Sequence, residues 1–196
     1  MNQVNFYVVD TETNGLSLKL HEICQISIIR VEDRMQLTRD IKVNKVEHSS
    51  WDALKITGKT MNDLRFGMDK SSAIKEVEEF LSEDGASSTH RCLIAHNAAF
   101  DRKFLCALWE QFGKKFPFDL SVDTIQMFRA YCKKQGIQKP KVNLGAACES
   151  LGIKKYGQSH DALVDTRHTY LLFQELSKSL HWLDFVKNQP HNIELR

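Results

Sequence analysis

The stretch Val4-Asn5-Phe6-Tyr7-Val8-Val9 is apolar, rich in β-formers, and stops abruptly at Asp10. A short run of this kind predicts a buried strand. Glu22 to Val31 predicts a second strand, and Glu32-Asp33 a turn after it. Beyond the turn, Met35, Leu37, Ile41 and Val43 alternate with Gln36, Thr38, Asp40 and Lys42. That alternation marks a half-exposed third strand, paired as a hairpin with the second. A strand followed by a hairpin at the start confines the chain to folds built on a sheet.

The middle of the chain reads as helical and irregular. Ser71 or Ser72 is placed to cap a helix carrying Ile74, Val77, Phe80 and Leu81 on one face. Cys92 to Ala95 predicts a short buried strand. A helix follows, with Phe100, Phe104, Leu105, Leu108, Trp109 and Phe112 along one stripe. Phe118 to Asp123 is a further short strand. Asn143 suits the N-cap of a helix over Leu144 to Leu151, which Gly152 closes. A long helix runs from about Asp161 to Ser179, burying Leu163, Tyr170, Leu171 and Phe173. Early antiparallel strands followed by strand–helix alternation define a mixed α/β domain.

At 196 residues the chain suits one domain with a short tail, taken as residues 1–179 and 180–196. In the tail, Trp182, Leu183, Phe185 and Val186 are suited to packing on the domain more than to a partner. The first ten residues lack the basic and apolar regions of a signal peptide, and no run approaches a membrane span. A cytoplasmic protein with no membrane association is therefore expected. The five cysteines are odd in number and never spaced Cys-x-x-Cys, which excludes a disulfide framework and a zinc site and leaves reduced thiols. Net charge is only +2, so overall charge does not announce a nucleic-acid binder. Basic runs such as Lys133-Lys134, Lys139 with Lys141, and Lys154-Lys155 read first as solvated faces.

Asp10 and Glu12 close the first strand, in Asp10-Thr11-Glu12-Thr13-Asn14-Gly15. Residues two apart on a strand share a face, so these carboxylates converge. Like charges at a buried strand end repel and raise each other's pKa; a hard divalent cation removes that penalty. The plain alternative is two solvated acids entering a turn. Asp101, in Asn97-Ala98-Ala99-Phe100-Asp101, falls in the first turn of a helix, where a carboxylate also complements the dipole. His96 just before it reads as a structural histidine. In Ser159-His160-Asp161-Ala162-Leu163-Val164-Asp165, either Ser159 or Asp161 serves as the N-cap. Asp165 lies a turn further in, where no cap is needed. An imidazole such as His160, titrating near neutral pH beside a cation site, is a natural general base for water.

In order, Asp10-x-Glu12, Asn97-Ala98-Ala99-Phe100-Asp101 and His160-x-x-x-x-Asp165 resemble the three motifs of the DEDDh exonucleases. This DnaQ-like group includes replicative proofreading subunits, RNase T and oligoribonuclease. Ile56-Thr57-Gly58 and Val122-Asp123-Thr124 add lesser matches, and the resemblance extends from about Phe6 to Leu176.

The resemblance implies an RNase H-like fold, with a five-stranded mixed sheet flanked by helices. It implies that Asp10, Glu12, Asp101 and Asp165 bind two divalent ions, Mg²⁺ or Mn²⁺, with His160 as base. By the same similarity Thr13, Leu16, Asn97 and Phe100 hold the 3′-terminal nucleotide, although Phe100 is equally suited to the core. The expected activity is 3′→5′ release of nucleoside 5′-monophosphates from single-stranded or mispaired DNA. A DNA polymerase or another replication or repair protein is the expected partner. Trimming of RNA ends is the alternative within the family. Outside it stand a non-catalytic nucleic-acid-binding scaffold, and a phosphatase of the haloacid dehalogenase type, whose Asp-x-Asp is not matched by Glu12.

Overall fold

The computed structural model describes residues 4–154, 156, 157 and 160–188. The first strand, β1 (Asn5–Thr13), lies in the middle of the sheet. It pairs antiparallel with β2 (Ile23–Arg30), which in turn pairs antiparallel with β3 (Gln36–Asp40). On its other side β1 pairs parallel with β4 (Arg91–Ala95), and β4 pairs parallel with β5 (Leu120–Asp123). The five strands expected from the sequence are joined by a short sixth, β6 (Lys187–Asn188), antiparallel to β5. The order is β3-β2-β1-β4-β5-β6.

Seven α-helices flank the sheet among the described residues: α1 (Trp51–Thr57), α2 (Met61–Phe66), α3 (Lys70–Ser82), α4 (Ala98–Glu110), α5 (Thr124–Lys134), α6 (Leu144–Ser150) and α7 (Ala162–Ser177). The two faces of β1 separate two cores. Tyr7 and Val9 point to the α3–α4 layer, with Leu81, Phe104, Trp109 and Phe118. Val8 points to the α5–α7 layer, with Phe128, Leu172 and Phe173. Burial of each such side chain contributes about 1.5–3 kcal/mol relative to exposure. A third cluster of Val43, Val46, Leu54 and Leu64 fixes α1 and α2 beside the hairpin.

Several local expectations are corrected. Helix α3 begins at Lys70 with Asp69, not Ser71 or Ser72, in the cap position. Phe112 falls beyond the end of α4 and is exposed. Phe118 is core, but it precedes β5. Helix α7 ends at Ser177 and buries Tyr170, Leu172, Phe173 and Leu176, while Leu163 and Leu171 are only half-buried. As expected, Asn143 caps α6 by accepting from the Ala146 N–H at 2.9 Å, and all five cysteines are free. Trp182, Phe185 and Val186 pack against the α5–α7 core, whereas Leu183 is exposed. Lys155, Ser159 and the tail beyond Asn188 lie outside the described residues. No helix among the described residues is long and apolar enough to cross a membrane.

Candidate active site

Alternation along β1 sends Asp10 and Glu12 to the face that α7 covers, and Thr11 to the face that α4 covers. Both helices reach over the end of the strand, so side chains from opposite layers meet there. The β1–β2 register shifts between Glu12 and Thr13. A bulge at this point ends regular pairing and turns the chain over the sheet edge. Gly15 is required in that turn, because a Cβ would stand 2.5 Å from the His21 ring. The His21 ring accepts from the Ser17 N–H at 2.9 Å and so fixes the loop, at whose tip Leu16 is 75% exposed.

Asp101 arrives from the first turn of α4 and is buried. Its Oδ1 accepts from both the backbone N–H and the hydroxyl of Thr11, each at 2.9 Å, which leaves Oδ2 out of both bonds. Asp165 arrives from the first turn of α7. Its Oδ2 accepts the His160 N–H at 2.9 Å, and His160 has a left-handed backbone (φ 63°). Asp161 caps α7, its Oδ1 accepting from Leu163 and Val164 at 2.9 and 3.2 Å. Of the two cap candidates in the sequence, Asp161 fills the position. Ligand atoms of Glu12, His160 and Asp165 lie within 4.8 Å of one another.

The electrostatics of the cluster are unfavourable without a cation. Burial, then Asp101, Glu12 and Asp165, hold the Asp10 carboxyl well above the usual range. Burial and the charges of Asp165 and Asp101 push Glu12 up to about 8, against a lowering pull from Lys59. Burial raises Asp101 to about 7 although the Thr11 bonds oppose it. Asp165 is raised by burial, and the His160 N–H offsets this in part. Among the described residues no Lys or Arg forms an ion pair with any of the four; Lys59 pairs instead with Asp40 at 2.7 Å. Crowded carboxylate oxygens with no counter-ion of their own match the donor set that hard divalent cations take.

A cleft of about 370 Å³ opens over the cluster. Thr13, Leu16 and Phe100 line it. The Thr13 hydroxyl donates to the Gly15 carbonyl at 2.7 Å, and Phe100 packs on Phe104 with ring centroids 5.0 Å apart. Asn97 is not among the lining residues. It takes a left-handed conformation (φ 80°) before α4, and its N–H donates to Asp123 at 3.1 Å. His96 is structural, as its strand-end position suggests. Its ring bridges the Thr124 hydroxyl at 2.8 Å and the Val142 carbonyl at 2.7 Å, and burial lowers its pKa.

Sequence reasoning did not single out Thr11 or Gln25 as supports of the site. It also passed over Ala53 and Leu144, which line the cleft. The same alternation that united Asp10 and Glu12 placed Thr11 on the other face. Gln25 carried no such signal.

The four carboxylates thus meet at the end of the first strand of a mixed sheet, beside a histidine. The RNase_T exonuclease family model matches residues 7–173. DNA polymerase III of PolC type from Staphylococcus saprophyticus is 27% identical over 199 residues, covering 100% of this chain and 13% of the polymerase. Its counterpart from Staphylococcus haemolyticus is 26% identical with the same coverage. The chain thus spans about an eighth of the length of these curated relatives.

Among solved structures, the nuclease domain of 3′hExo, a DEDDh family member bound to rAMP, superposes with a TM-score of 0.73 at 15% identity, covering 96% of this chain and 98% of that one. The zinc-bound E. coli ExoI–ssDNA complex gives a TM-score of 0.76 at 17% identity, over 93% of this chain and 42% of that one. The chain belongs to the exonuclease family of that model.

Proposed function

We propose that this domain removes nucleotides one at a time from the 3′ end of single-stranded or mispaired DNA, releasing nucleoside 5′-monophosphates. The observation that carries the reading is the group of four carboxylates from three elements, their pKa values raised, beside His160. Asp10, Glu12, Asp101 and Asp165 are the residues that would hold two divalent cations, Mg²⁺ or Mn²⁺. Bound there, such ions supply an activated water and charge stabilisation on the attacking and leaving oxygens.

The remaining steps belong to side chains of this chain. His160, exposed at the mouth of the cleft, takes the proton from the attacking water. Leu16 wedges against the terminal base, and Phe100 presents a ring to it. Thr13 exchanges its bond to the Gly15 carbonyl for one to the terminal 3′ hydroxyl. DNA is favoured because relatives matching the whole length of this chain are DNA polymerases of PolC type. On that ground a polymerase or another replication or repair protein is the partner, and the cytoplasm the site of action.

RNA is the second reading. It is favoured by the rAMP-bound neighbour, which matches this chain nearly end to end. The test is digestion of end-labelled single-stranded DNA, 3′-mismatched duplex and short RNA, with Mg²⁺, with Mn²⁺ and with chelator. Metal-dependent 5′-monophosphates from DNA, faster than from RNA, are expected. Faster RNA cleavage would reassign the substrate, and cleavage undiminished in chelator would end the metal mechanism.

A further inference from the structure

From Thr124 to Cys148 the chain carries Arg129, Lys133, Lys134, Lys139 and Lys141 and no Asp or Glu. With 27 basic and 25 acidic residues in all, the rest of the chain is acidic on balance. The segment comprises α5, the loop that follows it, and most of α6. All five cations are exposed, and none forms an ion pair among the described residues. Elsewhere exposed lysines pair with acids, as Lys75–Glu79 and Lys178–Glu175 show. This segment brings no acid of its own, and Asp123 and Asp184 share a surface cleft with its Arg129 and Lys133.

Its position gives the cations something to meet. The loop climbs back from α5 to the cleft and is tied there by the Val142 carbonyl, which accepts from His96 at 2.7 Å. Asn143 and Leu144 immediately beyond form part of the cleft wall. Lys141 is two residues from Asn143 and Lys139 four, so they stand at most about 7 and 14 Å of chain from that wall. Lys139 has a left-handed backbone (φ 49°) and is followed by Pro140, which restricts the loop's geometry. Ala53 and Ile56 of α1 also line the cleft and give it an apolar surface, while the Asn143 side leads into the cationic run. Bases suit the first, and phosphates the second.

We propose that Lys139 and Lys141 hold the phosphate backbone of the strand behind its 3′-terminal nucleotide, with Arg129, Lys133 and Lys134 extending the track away from the cleft. The inference rests on the exonuclease reading and deepens it: the partner is a single-stranded nucleic acid several nucleotides long.

Binding of a fluorescein-labelled 15-nucleotide DNA, followed by anisotropy in chelator from 25 to 200 mM salt, tests it without any turnover. Lys139→Glu/Lys141→Glu should weaken binding by a factor on the order of 10 or more. It should also flatten the log Kd–log salt slope by about 1.4, since each single-strand phosphate contact contributes about 0.7. Lys75→Glu/Lys115→Glu, an equal charge change on the α3–α4 side, should leave both near wild type. In Mg²⁺ the Lys139/Lys141 variant should show a raised KM for the 15-mer, while its turnover of a dinucleotide stays unchanged.

The two failures are distinguishable. A wild-type protein that binds the 15-mer but never shortens it overturns the exonuclease reading and leaves the track standing. Normal cleavage with unchanged Kd and slope in the Lys139/Lys141 variant overturns the track alone. Equal losses in both charge-reversed variants, no binding of the 15-mer by wild type, or competition by poly-glutamate as effective as by unlabelled DNA, would also overturn it.

Discussion

His160 and Asp161 are neighbours in the chain with different tasks, and substitutions separate them. The exposed His160 imidazole bonds nothing among the described residues that would make it a structural support. His160→Ala should lower kcat by a factor on the order of 10²–10⁴, with little change in KM or melting temperature. Single-turnover rates and thermal melts check this; a folded variant within a few-fold of wild type would remove the general base. Asp161 only caps α7, and Asn caps nearly as well, so Asp161→Asn should be mild where Asp165→Asn abolishes cleavage. Reversed effects would show that the two acids have been misassigned. Thr11 works through Asp101, holding one of its oxygens with two bonds. Thr11→Val keeps the backbone bond and loses the hydroxyl bond. It should raise the Mg²⁺ concentration needed for half-maximal thermal stabilisation several-fold, and Thr11→Ser should restore it.

At the scale of elements, the third motif is held in place by a residue from the hairpin. Gln25 lies opposite Glu12 in the β1–β2 register. Its Oε1 accepts the Ala162 N–H at 2.9 Å, and its Nε2 donates to Asp40 at 3.1 Å. One buried amide thus ties β2, β3 and the start of α7. Gln25→Leu leaves the buried Ala162 N–H unpaired and should cost about 1–3 kcal/mol. Urea titration measures that loss, and an unchanged midpoint would show that the joint is dispensable. This joint is illegible in the sequence because a glutamine in a strand has no periodic signature, and its partner is 137 residues away. The motifs are legible for the opposite reason: Asp10 with Glu12 on β1, and His160 with Asp165 around the start of α7, are local spacings. Sequence reasoning passes over helix α5 although its sequence carries a clear helical period, with Thr124, Met127, Phe128 and Cys132 recurring on its buried face. Phe112 extends the apolar stripe of α4 on paper because the spacing continues after the helix itself has stopped.

Across the whole molecule, the two ends of the sheet respond to protons in opposite ways. Near the starts of β1 and β4, Asp84 accepts from Arg91 Nη2 at 2.7 Å and from the Tyr7 hydroxyl at 2.5 Å, and these bonds hold its carboxyl well below the usual range. That contribution is present at neutral pH and is lost as pH falls through the depressed value. At the other end Glu12 is raised from 4.5 to about 8, and Asp101 from 3.8 to about 7. A carboxyl raised on folding binds more protons in the native state than in the unfolded one. Its contribution is complete below the unfolded value and is lost as pH climbs through the folded one. A tenfold change in proton affinity corresponds to about 1.4 kcal/mol, so the acid cluster should dominate between pH 5 and 8. In chelator the melting temperature should therefore fall across that range. Added Mg²⁺ or Mn²⁺ competes with the protons for the same oxygens, so its stabilising effect should grow with pH and flatten the profile. Asp10→Asn removes a half-buried carboxyl from the centre of the cluster and should raise the apo melting temperature at pH 8 while reducing the metal-induced gain. Thermal melts of both proteins at half-unit pH steps, with and without metal, measure all three effects. A metal-free profile that is flat or rising from pH 5 to 8 would mean that the four carboxylates do not titrate as one crowded cluster.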